Sequence, residues 1–183
     1  MDYEQAVQIV RQKLKGPRLE HTFGVVDAAI ELAERYGVNK DQAKLAAIFH
    51  DYAKLMPINE LREVLLESNE DERLLTYHPE LWHGPAAAYL LSKDYHISDV
   101  DVLNSIRFHT TGRSNMTLLE KVVFLADYIE PGRNFPGVDE TRNLANTDLN
   151  AAVLQALSNT IAFLAQKKRA IFPDTVEAYN SLV

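Results

Sequence analysis

The chain has 183 residues, 46% apolar and 25% charged, the proportions of an ordinary globular protein and far from the disordered or membrane classes. A formal charge of −7 excludes nonspecific attachment to a nucleic-acid backbone, so an anionic small molecule has to be met by a local positive centre. With no cysteine there is no disulfide framework and no thiolate zinc site; any metal must be held by histidine and carboxylate, and the chain is expected in the cytoplasm.

No membrane contact is expected either. The apolar runs, such as Val122-Val123-Phe124-Leu125-Ala126, fall far short of the roughly 20 residues a spanning helix needs, and the charged, polar N-terminus is not a signal peptide.

Over residues 3–14, Ala6, Val7, Ile9, Val10 and Leu14 recur at helical spacing behind Asp2, a suitable N-cap. Gly16-Pro17 ends that helix and starts a longer one over residues 17–36, closed by Gly37, with His21 in its second turn. A third helix follows Asn39 and runs through Ala43, Ala46 and Ala47 to His50-Asp51, its small residues predicting close packing. Residues 58–66 and 70–77 predict two short amphipathic helices, and His78-Pro79 a turn. Pro85 falls in the first turn of the next helix and leaves His83 at or just before its N-terminus.

Ser98 or Asp99 can cap a helix through Val102, Ile106 and Phe108 to His109. Thr117-Leu118-Leu119-Glu120 is a capping box ahead of an apolar helix that carries Asp127 and stops at Pro131-Gly132. A short helix over residues 140–145, a long one over 148–168 capped by Asp148, and a last one over 175–182 complete the chain. The long helix serves either core packing or a homodimer interface. No segment alternates as a strand does, so the expected fold is all-α.

The polar residues set into this apolar pattern are the informative ones. Burying His50 and Asp51 costs several kcal/mol unless they are hydrogen-bonded, paired or bound to metal. With His21, His83, His109 and Asp127 they make four imidazoles and two carboxylates, a donor set that suits Fe, Mn, Zn or Ni. Adjacent helical residues point about 100° apart, so His50 and Asp51 can share a centre only if the helix bends or ends there. Taken singly, His21 or His109 reads as a half-buried histidine with a hydrogen-bond partner, and Asp127 as half of an arginine pair. His78 and His96 lie in polar turns and read as ordinary surface residues.

The order His21, His50-Asp51, His83, His109, Asp127 resembles the H…HD…H…H…D pattern of the HD-domain phosphohydrolase superfamily, over residues 17–133. The segments Arg18-Leu19-Glu20-His21, His50-Asp51-Tyr52-Ala53-Lys54, His83-Gly84, His109-Thr110-Thr111-Gly112-Arg113 and Ala126-Asp127-Tyr128-Ile129-Glu130-Pro131-Gly132-Arg133 are similar to its bacterial branch of symmetrical bis(5'-nucleosyl)-tetraphosphatases. The resemblance implies one helical domain over residues 1–183, with helices 140–183 packed on the motif-bearing part. It implies that His21, His50, Asp51 and Asp127 hold one metal and that Asp51, His83 and His109 hold a second. Iron is the metal this branch suggests, and manganese or another divalent ion fits the same donors.

It also implies that diadenosine tetraphosphate is cut into two ADP, with Asp51 and Lys54 catalytic. Two neighbouring cations acidify a water and neutralise phosphate oxygens. Lys54, Arg18, Thr110, Arg113 and Arg133 are the candidates for the substrate phosphates, the arginines by fork geometry. Phe135, Tyr128 and Tyr89 are candidates to stack a base. The alternatives are another HD phosphohydrolase, acting on a guanosine alarmone or a deoxynucleotide, and a helical regulatory module that binds metal or nucleotide without turnover. The absence of Gly-Tyr-Pro after the HD pair speaks against the cyclic-dinucleotide branch.

Overall fold

Asp2 caps α1 (Tyr3–Lys13) by accepting from the Gln5 amide, while the Gln5 side chain accepts from the Asp2 amide. The computed structural model describes residues 1–183 and contains ten α-helices and no strand, as the periodicity predicts. Helix α2 (Pro17–Tyr36) starts on Pro17, whose missing N–H costs nothing in the first turn, and ends on Gly37 in the left-handed region at φ 71°.

Helix α3 (Lys40–Phe49) follows the Asn39 cap and lies at the centre, against α1 and α2. Ala43, Ala46 and Ala47 are fully buried, and their small side chains let the neighbouring helices approach closely. The helix stops at Phe49, sooner than its periodicity suggests. Beyond it the backbone tightens into three-residue turns, with the Tyr52, Lys54 and Met56 amides donating to the Phe49, Asp51 and Ala53 carbonyls.

After α4 (Ile58–Glu67), residues 70–77 depart from the expected amphipathic helix. They form a single 3₁₀ segment, Glu72–Thr76, capped by Asp71, with Leu74 the only buried residue. One apolar anchor is too little to stabilise an α-helix of that length. A second 3₁₀ turn, Pro79–Leu81, leads into α5 (His83–Tyr95). Helix α5 packs on α6 (Val100–Phe108), and α6 packs on α3 and on α7 (Leu118–Ile129).

The capping box of Thr117 and Glu120 starts α7 as read. Helix α8 (Val138–Leu144) begins two residues earlier than expected, just after Gly137. Helix α9 (Leu149–Gln166) is capped by Asp148 and packs on α7 and α8 through Ala152, Val153, Ala156 and Leu157, all buried. Helix α10 (Pro173–Asn180) closes over α9. No helix is long and apolar enough to cross a membrane.

Candidate metal centre

Five elements deliver the six ligand candidates to one place. His21 comes from the second turn of α2 and Asp127 from the last turn of α7. His83 is the first residue of α5, and His109 is the C-cap of α6. His50 and Asp51 stand where α3 tightens, and this resolves the 100° problem: past Phe49 the pair no longer follows α-helical spacing, and both side chains turn inward. His50, Asp51, His83 and His109 are all buried.

The imidazoles share one design. Nδ1 faces the Ala47 carbonyl in His50 (2.7 Å), the Glu80 carbonyl in His83 (2.7 Å) and the Ile106 carbonyl in His109 (2.8 Å), while in His21 it faces the Glu130 carboxylate (3.0 Å). Each partner is an oxygen that accepts, which assigns the ring proton to Nδ1 and leaves Nε2 with its lone pair.

The four Nε2 atoms converge on the two carboxylates. His21 Nε2 is 3.0 Å from Asp127 Oδ1 and 3.7 Å from Asp51 Oδ2, and His50 Nε2 is 3.4 Å from Asp51 Oδ2. On the other side, His83 Nε2 is 3.1 Å from Asp51 Oδ1 and 3.0 Å from His109 Nε2. Asp51 therefore presents Oδ2 to His21 and His50, and Oδ1 to His83.

The donors of this arrangement fit a metal. His21 Nε2 and His50 Nε2 are buried without a hydrogen-bond partner. Two lone pairs 3.0 Å apart on His83 and His109 are stable only with a cation or a proton between them. His21, His50 and Asp127 offer ligand atoms all within 4.8 Å of one another, as do His50, Asp51 and His109. Nitrogen and carboxylate donors at this spacing fit a divalent transition metal.

The local electrostatics keep the two carboxylates and His109 in ligating form. Burial pushes the Asp51 carboxyl up, but His50 and His83 outweigh it and hold it well below the usual carboxylate range. Asp127 is likewise lowered against burial, by His21, His50 and Arg133. Burial, reinforced by His83 and His50, drives His109 down to about 3. For His50 burial is the largest influence and lowers it, yet Asp51 and Asp127 together leave it raised.

The five phosphate candidates divide. Arg18 donates to Asp51 Oδ2 (2.8 Å), and Arg133 donates to Asp127 Oδ1 (2.6 Å) and to the Asp127 carbonyl (2.9 Å), so both guanidinium groups border the cluster. The Thr110 hydroxyl is 3.1 Å from His109 Nε2. Lys54 donates to Glu80 (2.6 Å), a side chain 63% exposed; such a pair is worth about 0–1 kcal/mol and releases the ammonium easily. Arg113 forks onto Glu120 at 3.0 and 2.6 Å, and Glu120 is 1% exposed, so this guanidinium is engaged by a buried carboxylate.

Among the aromatic candidates, Tyr128 and Phe135 stand beside the cluster, while Tyr89 lies under Lys93 on the outer face of α5. The residue that sequence reasoning missed is Glu130. It is buried, its Oε1 faces His21 and its Oε2 accepts from the Gly132 amide (2.6 Å). The signal was a carboxylate ending an apolar helix just before Pro131-Gly132, in a segment read only for Asp127 and Arg133.

Two clefts flank the cluster. One, of about 220 Å³, is bordered by His109, Thr110, Asp127 and Arg133; the other, of about 200 Å³, by His83, Lys54 and Glu80. A larger cleft of about 430 Å³ lies between α2 and α8 and holds none of the six ligand candidates. Its arginines are already engaged, Arg35 by the Ala145 carbonyl and Asn146, Arg142 by three backbone carbonyls and Asp139.

The family model of the HD domain matches residues 18–132. The chain is 51% identical over 183 residues to the symmetrical bis(5'-nucleosyl)-tetraphosphatase of Bacillus subtilis (strain 168), covering 100% of this chain and 98% of that one. It is 50% identical to the protein of the same name from Halalkalibacterium halodurans, with the same coverage. A crystal structure from Clostridium acetobutylicum, described as a predicted HD superfamily hydrolase involved in NAD metabolism, superimposes with a TM-score of 0.94 at 40% identity, covering 100% of this chain and 97% of that one.

Proposed function

The chain belongs to the HD domain family, and on that premise we propose that it hydrolyses diadenosine tetraphosphate symmetrically, releasing two ADP. It is a hydrolase of phosphoric anhydride bonds, and its substrate is a nucleotide. The observation that carries the reaction class is the position of Asp51, with one oxygen toward His21 and His50 and the other toward His83.

We propose that His21, His50, Asp51 and Asp127 hold one divalent ion and that Asp51, His83 and His109 hold a second, with iron in both positions. Ions held there supply Lewis acidity to the phosphate oxygens and acidify a water. The chain's own residues do the rest. Arg18 and Arg133, at the two carboxylates, orient the phosphate chain by forked hydrogen bonds, and the Thr110 hydroxyl donates beside His109. Lys54 leaves Glu80 for a phosphate oxygen on the His83 side and stabilises charge on the departing ADP.

Metal analysis coupled to product identification on a nucleotide panel tests this reading. The expected result is two transition-metal ions per chain and ADP as the only nucleotide product. AMP plus ATP would overturn symmetric cleavage, and full metal loading without turnover of any nucleotide would make the chain a binding module. Asp51→Ala is expected to lose metal and turnover together, by a factor on the order of 10²–10⁴ in rate. His96→Asn, at an exposed left-handed position that asparagine tolerates, is expected to keep both.

A further inference from the structure

Beyond the metal cluster, the cleft bordered by Asp127 and Arg133 does not end. It runs on into a groove of about 570 Å³ between the loop carrying Phe135 and helix α9, and the two share Tyr128, Phe135 and Thr160 as walls. That volume is within the roughly 300–1,000 Å³ usual for small-molecule sites. The groove contains no charged side chain, whereas the cleft leading to it has Arg133 on its wall.

The chemistry along this path changes in a definite order. Nearest the cluster are the cation and hydroxyl of Arg133 and Thr110. Next come Tyr128 and Phe135, packed edge to face with centroids 4.9 Å apart. Farthest out are Phe163, 52% exposed on α9, and the amides of Asn159 and Gln166. Asn159 is fixed by accepting from Gln155 (2.8 Å) and donating to the Tyr128 hydroxyl (3.1 Å), which leaves that hydroxyl its own hydrogen to donate. Cation and hydroxyl first, then aromatic surface with amides, is the order in which a nucleotide presents phosphate and base.

We propose that this groove is the subsite for one purine nucleoside of the substrate, its base lying on Phe163 with Gln166 at its edge. The proposal rests on the tetraphosphatase reading for the identity of the ligand, and on the continuity of groove and cleft for its place. An exposed aromatic is a suitable test residue, because removing it leaves the core intact.

Steady-state kinetics on Phe163→Ser, Phe163→Ala and Phe163→Trp, each metal-loaded, are expected to separate base recognition from chemistry. Loss of the ring should raise KM for diadenosine tetraphosphate about 5–150-fold, the worth of one aromatic–base stack, with kcat within about twofold. Phe163→Trp should restore KM, and inhibition by inorganic tetraphosphate, which has no base, should be the same in all variants. In Phe163→Trp, ADP should quench the new indole emission while pyrophosphate should not.

If the unmutated chain turns over the dinucleotide and the Ser and Ala variants keep its KM, the groove is not the subsite. If the unmutated chain is inactive on every dinucleotide, the tetraphosphatase reading fails, and quenching of Phe163→Trp by ADP still decides whether the groove takes a nucleoside. Conversion of a dimer to a monomer by Phe163→Ser at constant KM would assign the groove to contact between two copies and overturn the proposal.

Discussion

Nδ1 of His21 lies 3.0 Å from Oε1 of Glu130, a residue 109 positions later in the chain. The carboxylate fits because two glycines leave room for it: a Cβ on Gly24 would fall 2.6 Å from Glu130 Oε2, and one on Gly132 would fall 3.0 Å from both oxygens. Gly24→Ala is therefore expected to displace Glu130 and release the His21 ring without touching a ligand. Together with Glu130→Gln, it should weaken metal affinity about 10–100-fold in chelator competition, with helix content by circular dichroism unchanged. Equal affinity in both variants and the parent would mean that His21 is oriented without Glu130.

The approach of α5 to α6 depends on Gly84. A Cβ there would meet the Ile106 and Arg107 carbonyls at 2.9 Å, and backbone cannot swing aside as a side chain can. Gly84→Ala should push α5 outward at the residue next to His83, costing about 1–3 kcal/mol of stability. Metal stoichiometry is expected to fall from two toward one, because His83 and His109 separate while His21, His50 and Asp127 stay in place. A variant that melts like the parent and binds two ions would contradict this packing.

Arg113→Ala distinguishes a structural arginine from a phosphate clamp. Glu120 keeps only the Thr117 amide as a partner once the guanidinium is gone, and the remaining buried carboxylate should cost about 1–3 kcal/mol, read as a lower Tm. KM for the dinucleotide is expected to hold at temperatures where the variant is folded. A large rise in KM at unchanged Tm would restore the clamp.

Acid should loosen the chelator-stripped protein. His109 stays neutral down to about 3, so between there and the ordinary imidazole value of 6.5 the unfolded chain binds a proton that the folded one does not; stability rises with pH across that window and is lost as pH falls through it. Asp51 and Asp127, both lowered, add stability above the ordinary carboxylate value of 3.8 that disappears in stronger acid. His50, raised, acts in the opposite sense and loses its contribution as pH climbs through its folded value. Thermal melts from pH 3 to 8 should therefore show Tm falling below about 6.5, and His109→Gln should flatten that limb. A parallel curve for the variant would place the acid sensitivity elsewhere.

Local signals were legible and long-range ones were not. The caps Asn39, Thr117 and Asp148 act within three residues, so the helix starts they predict are the ones observed. His50-Asp51 stands out because a polar pair in an apolar helix needs an explanation. The end of α3 at Phe49 is different: Ala46 to Phe49 continue the periodicity, and the helix stops where the turns that follow it place the pair inward. Glu130 was silent because its partner is on another helix and its space is created by Gly24, a residue that also suits an ordinary helix-packing role. The Arg113–Glu120 pair was silent because Glu120 already had a local task in the capping box, and its second task, holding an arginine, leaves no trace in spacing.

Three of the four imidazoles are anchored by a carbonyl three residues earlier in their own segment, at Ala47, Glu80 and Ile106. Those rings are set as soon as a single turn of backbone forms. His21 is not: it waits for α7 to bring Glu130 across from the far side of the chain. The centre accordingly combines two kinds of aim, His50, His83 and His109 by local winding and His21 by the docking of α2 on α7. Any ion gripped by both His21 and Asp127 would tie those two helices together, a rivet between segments more than a hundred residues apart.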